Sequence, residues 1–166
     1  MFEIGEQVLY GAHGVCCVTD MEKKFTEGKH LTYLVLEPME KDGSKYLIPT
    51  HNASAMGKLR PLLTKEELRA LLDSEEVRAD CWIQNENQRK QSYRELLSGG
   101  ECARLMRMVH SLYRHRTAQA AAGRKCHLCD ENFLRDAERL LSSEVAIVME
   151  MEPVQARQYI RDVLHP

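Results

Sequence analysis

The hydrophobic pattern of this chain changes at Thr64, and that change constrains the fold more than any other feature. Before it, apolar residues come in short runs rich in β-branched and aromatic types, separated by glycine and proline. After it, they recur every three or four residues, as on one face of a helix. We therefore predict an α+β protein with a β domain over residues 1–63 and a helical domain over residues 64–166.

The β domain is predicted to contain about five short strands. Gly11 and Gly14 bracket a turn, and Asp42-Gly43 is typical of a tight hairpin turn. This number of strands in some 60 residues is the size of a small SH3- or Tudor-like barrel. The candidate strands are residues 8–10, 15–18, 31–36, 45–48 and 59–61.

The helical domain is predicted to be compact and to contain about five helices. Thr64 and Glu67 have the spacing of a capping box, in which each side chain bonds the other's backbone amide. Asp130 is the expected cap of a later helix, and Pro153 suits the first position of the last one. Between Glu67 and Asp130, a helical pattern runs from Trp82 to Leu97. Residues 101–122 follow as the expected longest helix.

Positive charge is concentrated in the middle of the helical domain. The whole chain has 23 basic and 25 acidic residues, a net charge of −2, so a uniformly basic nucleic-acid binder is excluded. Residues 85–125, however, contain nine Lys and Arg against three Glu. Such a stretch can contact phosphates. The alternative is a solvated, arginine-rich helix face.

Trp82 is the only tryptophan, and it directly precedes this basic stretch. One interpretation is that it packs into the helical core, which is the usual environment of a tryptophan. The other is an exposed aromatic wedge that enters a minor groove and stabilises an unstacked base step. Both interpretations stay open on the sequence alone.

Cys126 and Cys129 have the spacing of half a zinc site, because a structural zinc usually takes four ligands from two such pairs. The other four cysteines form no second pair with that spacing. We therefore expect no metal; the candidate ligands are Cys126 and Cys129, with His127 as a third local one. We interpret most cysteines as small buried residues.

Signatures of an enzyme are missing from the sequence. It has neither a phosphate-binding glycine loop followed by Lys and Ser or Thr, nor a Gly-x-Ser-x-Gly motif. His13 has no paired carboxylate or nucleophile in view and is interpreted as a turn residue. No run of about 18 apolar residues and no signal-peptide pattern are present. We expect a cytoplasmic protein with no membrane span, no catalytic residue and no cofactor.

Motifs along nearly the whole chain resemble the CarD/CdnL family of bacterial transcription regulators. Each motif is short, but they occur together and in the family's order. The β domain also resembles the polymerase-binding module of transcription-repair coupling factors. The residues that carry the resemblance are Phe2, Gly5, Val8, Tyr10, His13, Gly14, Val15, Val18, Tyr33 to Leu36, Leu47 to Pro49, Asn52, Gly57, Arg60, Trp82, Ile83, Arg89, Leu97 to Gly99, Ala137, Glu138, Leu140, Leu141 and Glu144.

The resemblance implies a Tudor-like domain that binds the β1 lobe of the RNA polymerase β subunit, partly through a strand edge. The residues it assigns to that contact are Lys24, Lys45 and Leu47.

The resemblance also implies a helical domain at the upstream edge of the promoter bubble. There a tryptophan wedges into the minor groove near the −10 element, largely independently of sequence, and slows bubble collapse. Trp82 would be the wedge, and the expected DNA contacts are Trp82, Arg89, Lys90, Arg94, Arg124 and Lys125. The implied protein is a monomer that stabilises the open complex. The alternative is an adapter that binds polymerase and whose helical domain recruits another protein instead of DNA.

Overall fold

The computed structural model describes residues 1–165, and the chain divides into two compact units between Leu62 and Leu63. The N-terminal unit is built around a sheet, and the C-terminal unit consists of helices. The predicted α+β class is therefore confirmed. In residues 1–165, none of the helices combines the length and apolarity that a membrane crossing requires.

One antiparallel five-stranded sheet makes up the N-terminal unit, in the strand order β4-β3-β2-β1-β5. A short 3-10 turn, Gly11–His13, connects its first two strands. The elements are β1 Gln7–Tyr10, β2 Val15–Thr26, β3 Lys29–Pro38, β4 Tyr46–Pro49, the single helical turn α1 Ala53–Met56, and β5 Leu59–Pro61.

The hairpin of β2 and β3 is longer than the sequence pattern indicated. Its pairing extends to Thr26 opposite Lys29, with a register shift between Val18 and Asp20. At its tip Glu27 and Gly28 have φ angles of 52° and 76°. Positive φ at both central residues is the geometry of the two-residue turn that matches strand twist.

The hairpin predicted around Asp42-Gly43 is confirmed, since β3 and β4 pair antiparallel and Gly43 has a positive φ of 81°, but its turn is not tight. β3 ends at Pro38 and β4 begins at Tyr46, so a longer loop joins them. Within it the Asp42 carboxylate accepts the Ser44 amide at 2.8 Å, which gives the loop its own local turn.

One face of the sheet carries the hydrophobic core of this unit. The core is aliphatic, as expected from a chain with only 6% aromatic residues. Its buried members are Val8, Cys16, Val18, Leu34, Leu36, Ile48 and Leu59.

Up to residue 165, the C-terminal unit contains five α-helices, as predicted, and a 3-10 turn at Glu76–Arg78. The Thr64 hydroxyl accepts the Glu67 amide at 3.1 Å and the Glu67 carboxylate accepts the Thr64 amide at 2.8 Å, which confirms the capping box. Pro153 is the first residue of the last helix. The helices are α2 Lys65–Asp73, α3 Glu86–Gly99, α4 Cys102–Ala121, α5 Leu128–Val148 and α6 Pro153–Leu164.

Three details of the helices differ from the sequence prediction. Helix α5, with 21 residues, is longer than α4, with 20. It begins at Leu128, so Asp130 lies inside its first turn and does not cap it. Helix α3 begins at Glu86, because the Asn85 side chain accepts the Gln88 amide at 3.0 Å and starts the helix there. Trp82 therefore lies outside regular helix.

Candidate functional site

The outer face of the sheet, opposite the core, is the first candidate surface. Leu34 pairs with Ile48, and both belong to the buried core. The neighbouring pair of Val35 and Leu47 must point to the other face, because side chains alternate along a strand. Leu47 is 42% exposed there, so β4 presents an apolar side chain on the outer face.

Lys24 and Lys45 lie on the same outer face as Leu47. Lys24 pairs with Leu31. Leu31 points to the same face as Val35, because the two residues are four positions apart on β3. Lys45 comes just before β4, and its Nζ lies 3.9 Å from the Glu37 carboxylate on β3. The three residues predicted to contact polymerase thus lie on one face of the sheet.

Strand β4 also leaves one backbone edge open. It stands at the end of the strand order, and within residues 1–165 only β3 pairs with it. An open edge can accept a further strand through main-chain hydrogen bonds. This edge and the outer face meet at Leu47.

Trp82 lies in the irregular segment between α2 and α3, which α4 holds in place. The Asp80 carboxylate accepts the Trp82 amide at 3.1 Å and the Ser111 hydroxyl at 3.2 Å. The Arg107 guanidinium donates to the carbonyls of Ala79 and Asp80. The hydrogen bond from the Trp82 amide lowers the pKa of Asp80, and the Ser111 hydroxyl adds to this.

The indole of Trp82 is half-buried and packs on the edge of the helical core. It stacks on the imidazole of His115 with ring centroids 3.5 Å apart and planes 14° from parallel. The Arg89 guanidinium lies 4.3 Å from the ring centroid, and the indole Nε1 donates to Gln84 Oε1 at 3.3 Å. Trp82 therefore packs against the helical core, as the first interpretation expects, and part of the residue stays exposed, so that the wedge stays a prediction.

A cavity of about 210 Å³ opens beside the stacked rings. Asp80 and Arg114 contribute the charged groups of its wall. Arg114 is exposed, and sequence reasoning did not single it out among the candidate contacts. His115 was missed as well, because no local pattern ties a histidine on α4 to a tryptophan 33 positions earlier.

Arg89 has a different role from the phosphate contact predicted for it. Its side chain is 3% exposed and makes two hydrogen bonds to Asp130, which is 1% exposed, at 2.9 and 3.0 Å. A third bond, of 2.9 Å, reaches the Ile83 carbonyl. A guanidinium committed in this way cannot also bind a phosphate, so Arg89 joins α3, α5 and the Trp82 segment.

The other predicted DNA contacts are accessible to different degrees. Lys90 is 30% exposed, and its Nζ lies 3.0 Å from Glu86. Arg94, Arg124 and Lys125 are exposed. Positive charge therefore remains accessible on α3 and on the loop between α4 and α5.

The thiols of Cys126 and Cys129 are half-buried. Burial, reinforced by the Glu131 carboxylate, raises the pKa of Cys126 to about 11. Cys129 Sγ lies 3.6 Å from Glu86 Oε1. Across residues 1–165, no cluster of three or more side chains that could hold a metal ion is present, so these two thiols belong to no such cluster.

Comparison with known families gives a match over the N-terminal unit. Residues 2–62 match the family model of the CarD-like/TRCF RID domain. The matched range covers the whole sheet, including β4 and the residues Lys24, Lys45 and Leu47. The match confirms the resemblance inferred for the β domain, and the motifs of the helical unit lie outside the matched range.

Proposed function

The chain belongs, through residues 2–62, to the CarD-like/TRCF RID family, and from this premise we propose that it stabilises the open complex that RNA polymerase forms at a promoter. The family assignment makes it a polymerase-binding transcription factor. The proposal adds the site of contact, the DNA contact and the effect on the open complex. In this proposal the protein acts as a monomer, without a catalytic step and without a cofactor.

The polymerase contact that we propose is the β4 edge together with Lys24, Lys45 and Leu47, bound to the β1 lobe of the β subunit. The supporting observation is that an open strand edge and an exposed leucine lie side by side on the matched domain. A strand of the partner adds main-chain hydrogen bonds at the edge, and the side chains select the partner.

Leu47→Ala tests this contact. A fully buried leucine contributes about 1.5–3 kcal/mol. Since 42% of Leu47 remains to be covered, truncation is expected to weaken binding to the isolated β1 lobe roughly 3- to 8-fold. Phe25→Ala is the matched control, because Phe25 is 67% exposed but alternates to the opposite face. Equal affinities of wild type and Leu47→Ala would refute the contact through the Leu47 side chain.

The DNA contact that we propose centres on Trp82, next to the minor groove near the −10 element. Its half-buried indole lies on a segment held by α4, and the accessible cations Lys90, Arg94, Arg124 and Lys125 supply phosphate contacts. Contacts made only in the open complex shift the closed–open equilibrium toward open. About 1.4 kcal/mol of such contact changes that equilibrium tenfold.

Trp82→Ala is expected to shorten the open-complex lifetime while leaving polymerase binding unchanged. The lifetime is measured as promoter-complex decay after a competitor is added, with and without the protein. Arg94→Ala, at an exposed site on α3, is expected to reduce the salt dependence of the effect. A Trp82→Ala protein that is folded and fully active in this assay would refute the wedge.

The second candidate function is an adapter whose helical unit binds another protein. Leu128 and Val154 favour it, because these apolar side chains of the helical unit are 76% and 81% exposed. Binding of polymerase holoenzyme to fork-junction DNA separates the two functions. An adapter leaves that binding and its salt dependence unchanged when Lys90 and Arg94 are replaced by alanine.

A further inference from the structure

The imidazole of His115 and the indole of Trp82 form a close, nearly parallel stack. The rings are nearly parallel at 3.5 Å between centroids. The Nε2 atom of His115 lies 3.2 Å from the amide nitrogen of Gln119, one turn later on α4. With that amide as donor, Nε2 accepts, which requires the neutral imidazole. The imidazole plane is thus held by its own helix, and the indole lies on it.

The other contacts of Trp82 orient it less directly. The bond from its backbone amide to Asp80 fixes the main chain but not the ring. Gln84, which accepts from the indole Nε1, is an exposed residue of the same irregular segment. Arg89 approaches the ring, but its guanidinium is already fixed by Asp130. Of His115 and Arg89, which both lie against the face of the indole, His115 is the one that can be removed without breaking a buried ion pair.

We infer that His115 is a positioning residue for Trp82, and that the stack sets the plane in which the indole is presented to its partner. The effect on open complexes rests on the proposed function of Trp82. The orientation of the ring does not, because it follows from contacts within the helical unit. An indole that is already oriented loses less conformational freedom on insertion than a mobile one.

The protonation of His115 provides an internal probe of the stack. Burial lowers the pKa of His115 from its ordinary 6.5; Asp130 opposes this shift, and Arg89 and His127 add to it. The shift favours the neutral imidazole, which is the form that accepts from Gln119. The charged or titratable groups that surround it are Asp80, Arg89, Arg114, His127 and Asp130.

The test compares His115→Ala with His115→Phe, which keeps an aromatic ring for the indole to stack on. Thr117→Ala, at an exposed position of the same helix, is the control. Alanine and phenylalanine are both tolerated in helices, so α4 is expected to persist. Because Trp82 is the only tryptophan, its emission and its quenching by acrylamide report the ring directly in the full-length protein.

We expect His115→Ala to increase quenching and shift the emission to the red, while His115→Phe and Thr117→Ala match the wild type. The wild-type emission should titrate with a midpoint below pH 6.5, and His115→Phe should abolish that titration. Open-complex lifetime should fall roughly 2- to 12-fold in His115→Ala, the range that corresponds to one aromatic pair. It should recover in His115→Phe.

The outcomes separate this inference from the proposed function. Unchanged quenching in His115→Ala overturns the positioning role, whatever Trp82→Ala does to lifetime. Increased quenching with no effect of Trp82→Ala on lifetime supports positioning and refutes the wedge. His115→Ala added to Trp82→Ala should shorten the lifetime no further; an additional loss would show that His115 acts other than through Trp82, and would overturn the inference.

Discussion

Removing the carboxylate of Asp130 is expected to destabilise the helical unit more than any change to an exposed ion pair. Arg89 is 3% exposed and Asp130 1% exposed, and two hydrogen bonds of 2.9 and 3.0 Å join them. Asp130→Ala leaves the guanidinium buried without its counter-charge. Breaking a buried pair from one side costs about 3–5 kcal/mol. We expect a loss of that size in the free energy of unfolding.

The assay is urea unfolding followed by the emission of Trp82, which reports the helical unit alone because it is the only tryptophan. For an m-value of about 2 kcal/mol per molar urea, the midpoint should fall by roughly 1.5–2.5 M. Glu131→Ala is the matched control, since Glu131 is an acid in the same first turn of α5 but 39% exposed in its 3.8 Å pair with Arg116. It should cost about 1 kcal/mol or less.

A double variant tests whether the unpaired buried charge causes the loss of stability. Arg89→Met with Asp130→Leu removes both charges and should be more stable than Asp130→Ala, because neither partner is left buried and unpaired. The reasoning is refuted if Asp130→Ala loses no more stability than Glu131→Ala. Circular dichroism confirms that each variant retains its helices before unfolding.

The remaining predictions concern a helix cap, an acid and a thiol. Thr64→Ala removes the capping box of α2 and should cost about 1 kcal/mol in urea unfolding; no loss would show that the box contributes nothing. The pKa of Asp80 is lower in the folded protein than its ordinary 3.8, so its stabilising effect is present above that value and is lost as pH falls through the folded pKa. Asp80→Asn should therefore flatten the decline of stability below about pH 4, and an unchanged decline would contradict this. The pKa of Cys126 is about 11, so its alkylation by iodoacetamide at pH 8 should be slower than that of free cysteine and rise toward pH 11, as peptide mapping of the labelled protein can measure.

Local sequence signals determined the elements of this protein. The capping box at Thr64, the proline that opens α6 and the change from short β-runs to helical spacing each act over a few residues, and the structure contains all of them. The β2–β3 hairpin was underestimated because residues 19–26 alternate too weakly to predict a strand. Pairing with β3 makes them one.

The candidate sites differ in how much of their geometry the sequence predicts. The strand alternation around Leu47 could be read from the sequence once β4 was recognised, but its exposed edge follows from the strand order of the sheet. Trp82 was singled out because it is unique. Its half-buried state follows from residues on α3 and α4.

The local sequence does not determine what Arg89 and His115 contact. An arginine among arginines has the same sequence pattern whether it faces solvent or a buried carboxylate. Arg89 is buried because it pairs with Asp130, 41 positions later. Likewise, only the packing of α4 against the irregular segment brings His115 to Trp82. The sequence by itself determined most of the strands and helices, because those preferences are local; residues 19–26 became a strand only by pairing with β3. The tertiary structure decided which charges are neutralised and which rings are oriented, because such contacts join residues far apart in the chain.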